Sequence, residues 1–431
     1  MAHTPSILQA LFHLLFIYLA AGYSTLSEES LRALPGPGDD FNIKTGKLLS
    51  PILQPRVPGT PGSIAVQNHF IDFFKTTLPA WKIELQNSTS KTPATGDRDV
   101  PFVNLIISRD PPWYAPGFSS RLTLVAHYDS LSVPEGFLGA VDSAVPCAIL
   151  MHVARSIDVA LTAKWEKMQA DGMDSEFEDH QGVQIFFLDG EEAFKTWTDT
   201  DSVYGARSLA AEMESSAFAA QSTFHNALST ISLFVLLDLL GAKNPTVPSF
   251  FMTTHWAYQK MASVEKRLRS FSLFESSAKA ASPKAASSSK KASSKKASSK
   301  KASSKKVSPK RKTPKKASKR NDAVFLTEAD KTGGRWLGGM IGDDHVPFME
   351  RGVEVLHIIP TPFPHVWHKM EDDGAHLDLP TVTDWSRLIT GFTAEWMELE
   401  GFMNTTQTSS KNGRDLNADG SRPTKDKSEL P

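Results

Sequence analysis

Short apolar runs, each followed by polar residues, recur along the chain. The most pronounced run covers residues 184–188 and leads into Asp189, Gly190 and the adjacent carboxylates Glu191 and Glu192. Runs of this length that end at turn residues predict buried strands. Similar runs predict strands over residues 81–85, 102–108, 122–126, 233–237 and 354–359.

Segments with apolar residues at helical spacing lie between these runs. In residues 64–78, for example, Phe70, Phe74 and Leu78 are four residues apart, so that they share one face of a helix. Helices are also predicted over residues 147–159, 204–213, 256–270 and 379–400. Strands that alternate with helices predict an α/β fold. We expect a three-layer sandwich in which helices cover both faces of a mostly parallel central sheet.

The polar residues that follow the predicted strands form a consistent set. They are His127, Asp129, Asp142, Glu191, Glu192, Asp238 and, beyond a proline-rich loop, His368. Open α/β sheets bind ligands at the carboxyl ends of their strands, and adjacent acids repel unless a cation or a proton lies nearby. Histidine and carboxylates together suit zinc. The pattern therefore predicts a metal site at one edge of the sheet.

Each of these residues also has a purely structural interpretation. His127 can be a core histidine with satisfied hydrogen bonds, Asp142 can cap the helix that follows it, and Asp238 can hold a turn. Each interpretation is reasonable by itself. The recurrence of such residues at successive strand ends favours the metal site.

A lysine-rich segment interrupts an otherwise ordinary globular chain of 431 residues, 40% of them hydrophobic. Residues 276–320 contain 17 lysines and arginines and no acidic residue, so that the rest of the chain has 30 basic against 48 acidic residues. The repeated Ser-Ser-Lys-Lys-Ala without an apolar period predicts a disordered insert. Two interpretations stay open: contact with a polyanion or a membrane surface, or a tolerated insertion without function. We expect no specific nucleic-acid partner.

The amino-terminal residues predict a secretory route. Residues 7–21 are apolar and uncharged, which predicts a signal peptide over residues 1–22, with a retained membrane anchor as the alternative. Sequons at Asn87 and Asn404 fit this route. We therefore expect a glycoprotein that is secreted or that resides in the lumen of the ER or Golgi.

The remaining organisation is simple. We expect one catalytic domain over residues 23–403, interrupted by the insert, and a disordered polar tail over residues 404–431. The single cysteine, Cys147, excludes an internal disulfide in a monomer.

Several longer motifs surround the candidate ligands and carry a family resemblance. The chain resembles the M28 zinc aminopeptidase superfamily, and more closely its glutaminyl cyclase branch (glutaminyl-peptide cyclotransferase), over about residues 45–400 apart from the insert. The motifs are PGTPGS at 58–63, HYDS at 127–130, GAVDSAVPCA at 139–148, FFLDGEEAF at 186–194, LLDLLGAKNPTVPSFF at 236–251, DDHVPF at 343–348 and RGVEVLHIIPTPFPHVWH at 351–368.

The resemblance implies a fold and a role for each site residue. It implies a zinc aminopeptidase-like sandwich around a twisted mixed sheet and one Zn²⁺ per chain. The implied ligands of this ion are Asp142, Glu192 and His368. Glu191 would be the proton shuttle, Asp238 and Asp343 would belong to its hydrogen-bond network, and Trp197 and Trp367 would shape the substrate pocket. Animal members have a disulfide near this site, but Ala126 replaces one of its cysteines here, so that Cys147 should be a free buried thiol.

The implied activity is cyclisation of amino-terminal glutamine, and more weakly glutamate, in peptides and proteins. The alternative is a di-zinc aminopeptidase in which His127 and Asp238 hold a second ion and Asp142 bridges the two. The ligand types suit both enzymes, but the flanking motifs DDHVPF and PHVWH favour the cyclase. A third hypothesis, an inactive body that binds partners through the basic insert, is disfavoured because Glu191 and the ligands are intact.

Overall fold

In the computed structural model, which describes residues 23–175, 180–279 and 324–404, six strands form one mixed sheet. The strands are β1 (Lys82–Lys91), β2 (Asp99–Arg109), β3 (Arg121–His127), β4 (Gly182–Leu188), β5 (Ile231–Leu237) and β6 (Val355–Ile358). Their order across the sheet is β1-β2-β4-β3-β5-β6. β2 pairs antiparallel with β1 and β4, whereas β4, β3, β5 and β6 pair parallel. The predicted mostly parallel sheet is confirmed.

Helices cover both faces of this sheet, as predicted. The described helices are α1 (Glu28–Ala33), α2 (Pro61–Thr77), α3 (Val145–Ala170), α4 (Tyr204–Ser215), α5 (His255–Ser270), α6 (Glu275–Lys279), α7 (Val346–Met349) and α8 (Leu379–Trp396). The larger core contains apolar residues of α2, α3, α5 and α8, and a smaller core contains those of α4 and α7. The α/β three-layer sandwich is therefore confirmed.

The alternation of side chains along β4 divides these two cores. β4 is buried along its whole length, as expected for a strand covered on both faces. Ile185 and Phe187 belong to the larger core, and Phe186 and Leu188 belong to the smaller one. Leu188 is the last residue of this strand. The residues that follow it therefore leave the sheet at its carboxyl edge.

The helix α3 carries the apolar segment that follows Asp142. Together with the turn before it, Ala140–Ala170 is the one helix in the described part of the chain that is long and apolar enough to cross a membrane. In this fold, 83% of its most apolar window is buried. It has the position of a core helix, packed against α8.

Several predicted boundaries differ from the structure. The helix predicted over 147–159 runs as α3 from Val145 to Ala170, so the prediction ended it much too early. The strand predicted over 81–85 continues as β1 to Lys91, because its polar second half pairs with β2 at the edge of the sheet. The last helix ends at Trp396 and not at residue 400. There Glu398 has a φ of 55°, and the N–H of Leu399 returns to the carbonyl of Ala394 at 2.9 Å, which closes the helix.

Three predicted regions lie largely outside the described residues: the signal segment 1–22, the basic insert and the polar tail. The structure does show both borders of the insert. α6 reaches Lys279, so the ordered chain extends past residue 276, where the insert was predicted to begin. The described chain resumes at Val324.

Buried carboxylates fix the chain on both sides of residues 280–323. Asp384 on α8 accepts hydrogen bonds from the backbone of Glu275 and Ser276, at 2.6 and 3.0 Å. Glu265 on α5 accepts the backbone N–H groups of Phe325 and Leu326, at 2.6 and 2.9 Å. The rings of Phe274 and Phe325 lie 5.5 Å apart. The two borders are therefore neighbours within the core.

This arrangement predicts that the segment between the borders is dispensable for folding. Replacing residues 281–322 by a Gly/Ser linker of about ten residues, which spans up to about 33 Å, should change the melting temperature by no more than a few degrees, because loop closure depends weakly on length. Thermal unfolding followed by circular dichroism measures this. As the matched control, Phe325→Ala in the full chain should destabilise by about 3–5 kcal/mol because it empties a core site. A linker variant that melts as low as this control would contradict the prediction.

Candidate active site and metal centre

The carboxyl ends of the parallel strands open into a pocket of about 640 Å³. Eight of the nine residues predicted for the site line it: Asp142, Glu191, Glu192, Trp197, Asp238, Asp343, Trp367 and His368. The ninth, His127, is fully buried beside Asp142. The structure thus brings all nine together, although their individual roles stay predictions.

The loop after β4 presents both glutamates to the pocket. The carboxylate of Asp129, at the end of the neighbouring strand β3, accepts the backbone N–H groups of Glu191 and Glu192, each at 3.1 Å. Gly190 makes the turn possible: its φ is 76°, and a Cβ there would lie 2.5 Å from the ring of Phe102. Two adjacent strands therefore determine the direction of this acidic pair.

The loop that carries Asp142 is held by two residues that the sequence did not indicate. The buried guanidinium of Arg56 donates to the carbonyls of Gly139 and Asp142, at 2.9 and 3.2 Å. The carboxylate of Asp372 accepts the N–H of Val141 at 2.7 Å. Both residues are distant from Asp142 in the chain, so that no local pattern could reveal them.

The residues expected to bind zinc form a group that can hold a metal ion. Nε2 of His368 lies 3.5 Å from carboxylate oxygens of both Asp142 and Glu192, and one ligand atom from each of the three lies within 4.8 Å of the others. Oε1 of Glu192 is buried and has no hydrogen-bond partner among the described residues. Burial, and then the charge of Asp142, raises the pKa of Glu192 well above its usual range. A divalent cation at this place fits the orphaned oxygen and would offset that repulsion.

A second group consists of His127, Asp142 and Asp238. Their ligand atoms also lie within 4.8 Å of one another, close enough to hold a metal ion. Nε2 of His127 lies 3.0 Å from Asp142 and 3.5 Å from Asp238, and its Nδ1 lies 3.3 Å from Asp129. Burial alone would lower the pKa of His127, but the three neighbouring carboxylates raise it well above its ordinary value. A second ion held by this group would have to separate His127 from Asp142.

The contacts of Asp142 do not fit the purely structural role suggested for it, whereas those of Asp238 do. Asp142 does not cap α3, since the N-cap of that helix is Ala144 and has no side-chain cap bond. Asp238 does hold its own turn: its Oδ1 accepts the N–H of Leu239 at 2.8 Å and the hydroxyl of Ser143. Asp238 therefore combines a structural role with its place in the pocket wall.

Glu191 has a defined partner in the pocket. Nε1 of Trp197 donates to its Oε1 at 2.9 Å. Burial raises the pKa of Glu191 well above its ordinary value, and the charges of Asp343 and Asp238 add to the effect. A carboxyl group whose pKa is raised in this way is suited to carry a proton at neutral pH.

Asp343 belongs to a network that extends away from the pocket. Its Oδ2 lies 2.8 Å from Nε2 of His357, and its Oδ1 accepts the N–H of Asp344 at 2.6 Å. Burial lowers the pKa of His357 to about 4. His357 and His345 form with Asp343 a third group close enough to hold a metal, but both histidines are buried. The sequence had not singled out His357, because it lies inside the apolar run of β6.

The two tryptophans flank the pocket mouth. Trp367 stacks on the ring of His368, with centroids 4.0 Å apart, and meets the edge of Phe363 at 4.8 Å. On the other side, Gly342 lets Trp197 lie against its backbone, since a Cβ there would be 2.2 Å from the indole. Both indoles remain partly exposed, at 37% for Trp197 and 38% for Trp367. The acidic floor thus lies between aromatic walls.

Cys147 is free and buried, which confirms the expectation drawn from Ala126. Its thiol donates to the carbonyl of His127 at 3.1 Å. Burial raises its pKa to about 12. The thiol is therefore an inert core group.

Comparison with known proteins agrees with this geometry. The family model for Peptidase family M28 matches residues 114–393. The bovine glutaminyl-peptide cyclotransferase-like protein is 34% identical over 378 residues, 87% of this chain and 80% of that protein. The glutaminyl-peptide cyclotransferase of Bothrops jararaca is 32% identical over 358 residues, 81% of this chain and 80% of that one.

A solved structure agrees as well. The crystal structure of Macrostomum lignano glutaminyl cyclase superposes with a TM-score of 0.64 at 27% identity, over 88% of this chain and 96% of that one. The predicted resemblance is thereby confirmed. The chain belongs to the glutaminyl-peptide cyclotransferase family, within the M28 peptidase family.

Proposed function

We propose that this chain is a zinc-dependent glutaminyl-peptide cyclotransferase, which converts amino-terminal glutamine of peptides and proteins, and more weakly glutamate, to pyroglutamate. The observation that carries the proposal is the position of Glu191, buried at the floor of the pocket next to a metal-capable group and bonded to Trp197. The bovine and Bothrops relatives carry the corresponding names.

In the proposed site, Asp142, Glu192 and His368 hold one Zn²⁺. When bound, the ion would supply a Lewis acid for the side-chain carbonyl oxygen of the substrate glutamine. The protein residues orient the rest. The acidic floor attracts the α-ammonium group, and the aromatic walls exclude water from the reacting atoms, which are already part of one molecule.

The proton transfers fall to Glu191. The α-ammonium group, with a pKa of about 8, first loses one proton to solvent. The neutral α-amine nitrogen then forms a bond to the side-chain amide carbon, the bond from that carbon to the amide nitrogen breaks, and ammonia leaves. Glu191 accepts a proton from the attacking nitrogen and donates one to the leaving nitrogen. Burial raises its pKa, which suits a carboxyl group that must both accept and donate a proton. Asp238 and Asp343 act on Glu191 through their charges.

Hydrolysis by a di-zinc aminopeptidase is the second candidate, because His127, Asp142 and Asp238 also cluster. The contacts of these residues favour the cyclase. His127 already bonds to Asp142 at 3.0 Å, and the Oδ1 of Asp238 already accepts two hydrogen bonds. A second ion would have to displace these partners.

A secretory location stays a prediction on the sequence of residues 1–22 and on the sequons. Asn87 is exposed on the edge strand β1, where a glycan would have room. The side chain of Asn404 instead donates to Glu29 at 3.1 Å.

The first test compares two reactions on matched peptides. Purified protein incubated with a glutamine-initiated and a leucine-initiated peptide should remove only ammonia from the first, detected by mass spectrometry, and should leave the second intact. Metal analysis should give one zinc per chain, and chelation followed by zinc addition should abolish and restore the activity. Loss of the first residue from either peptide, with two zinc ions per chain, would instead establish the aminopeptidase.

The second test removes the proposed proton carrier. Glu191→Gln keeps the size of the side chain but cannot exchange protons, so kcat should fall roughly 100- to 10,000-fold. Zinc content should stay unchanged, because Glu191 is not a proposed ligand. If the variant retained near-normal kcat with its zinc, another group would have to carry the proton.

The third test addresses the bond between Trp197 and Glu191. Trp197→Phe removes an N–H donor that favours the charged carboxylate, so the pKa of Glu191 should rise further. The acidic limb of the kcat profile should then move to higher pH, and kcat at neutral pH should fall roughly 10- to 150-fold, as expected for the loss of a bond to a charged group worth about 1.5–3 kcal/mol. Trp367→Phe is the matched control, since it keeps the stack on His368 and leaves Glu191 bonded. An identical shift in both variants would refute a specific role for the Trp197 bond.

A further inference from the structure

One cation stands at the mouth of an otherwise acidic pocket. Five carboxylates line the pocket, and Lys195 is the one lysine or arginine among the described residues of its wall. The carboxylates are buried, whereas Lys195 is exposed. The acids therefore form the floor, and the lysine lies where the pocket opens to solvent.

The backbone at Lys195 is fixed. The carboxylate of Asp201 accepts the N–H groups of Phe194, Lys195 and Thr196, at 3.1, 2.9 and 3.0 Å. The hydroxyl of Tyr204 donates to the same carboxylate at 2.9 Å. These four bonds hold the segment between Glu192 and Trp197, so that the side chain of Lys195 extends from a fixed point on the rim.

The ammonium group of Lys195 is available to a ligand. Its side chain makes no ion pair with any acid in the described ranges, and only its backbone N–H bonds to Asp201 there. Other exposed side chains of the pocket wall are apolar, with 60% exposure for Met340 and 72% for Val133. Lys195 is thus an isolated charge on an apolar rim.

The size of the pocket determines which part of a substrate meets this charge. A volume of about 640 Å³ lies in the range that encloses a drug-sized ligand, well beyond a single glutamine. With the α-amine and side-chain amide at the acidic floor, the second and third residues of a peptide must pass the rim. An acidic side chain there is repelled by the floor unless a cation on the rim compensates.

We propose that Lys195 is a specificity-determining residue that favours substrates with aspartate or glutamate at the second or third position. This inference rests on the proposed cyclase function. It assigns Lys195 to recognition of the substrate beyond its first residue, with no part in the bond-making steps.

The test uses three peptides that differ only at the second residue: Gln-Glu, Gln-Gln and Gln-Lys, each followed by the same neutral sequence. For the wild-type protein, kcat/KM should fall in that order, by roughly 2- to 5-fold at each step, the size of an exposed charge pair. The ratio of the Gln-Glu to the Gln-Gln peptide should fall to one or below in Lys195→Met, because the acidic floor then repels the glutamate, and should fall further in Lys195→Glu. In about 1 M salt, where the Debye length is about 3 Å, the wild-type ratio should also approach one.

Lys75→Met is the matched control, because Lys75 is an exposed lysine on α2 outside the pocket wall. This variant should keep the wild-type ratio. Equal kcat/KM for all three peptides, or a ratio that persists in Lys195→Met, would overturn the role of Lys195 while ammonia release still upholds the cyclase. Failure to release ammonia from any of the three would refute the proposed function, and this inference with it.

Discussion

Repulsion among buried carboxylates is the constraint on which the site depends. The parallel strands bring Asp142, Glu191, Glu192 and Asp238 to one edge of the sheet, and Asp343 joins them from the loop before α7. Removing such a set from water is costly unless positive charge and hydrogen-bond donors lie among them. His127 lies among them, and the unpartnered oxygen of Glu192 indicates where a positive charge fits. The metal ion of the proposed function would therefore also stabilise the pocket.

Side chains outside the set of proposed metal ligands maintain the geometry of the site, because they form hydrogen bonds with the backbone of its loops. Asp129 holds the loop with both glutamates, Arg56 and Asp372 hold the loop with Asp142, and Asp201 holds the rim. Each of them fixes the backbone of a loop by hydrogen bonds. Such support is what keeps catalytic groups within a fraction of an ångström of a productive arrangement. Loss of a supporting residue should therefore affect the site as much as loss of a ligand.

The sequence predicted those parts of the structure that local patterns encode. The β strands and the polar residues after them could be predicted because each apolar run and the polar residues that end it are adjacent in the chain, as in residues 184–192. Arg56 and His357 were missed for the opposite reason. Arg56 binds carbonyls more than 80 residues away, and His357 is hidden in the apolar run of β6, where only the folded structure shows Asp343 beside it. The end of the last helix was predicted wrongly for a similar reason, because the left-handed backbone at Glu398 has no distinctive sequence signal.

The contacts of shared residues, more than the ligand inventory, distinguish the two candidate chemistries. A peptidase and a cyclase can both use Asp142, Glu192 and His368, and this chain also retains His127 and Asp238. The contacts of the last two bear on the choice: Nε2 of His127 bonds to Asp142, and Oδ1 of Asp238 accepts two hydrogen bonds, which a second ion would have to displace. A hydrolase needs a nucleophilic water, whereas a cyclase takes its nucleophile from the substrate and gains from keeping water out. Enclosing Glu191 beside the indole of Trp197 serves that exclusion. The hydrogen bonds around a shared ligand set can therefore favour one of the two chemistries over the other.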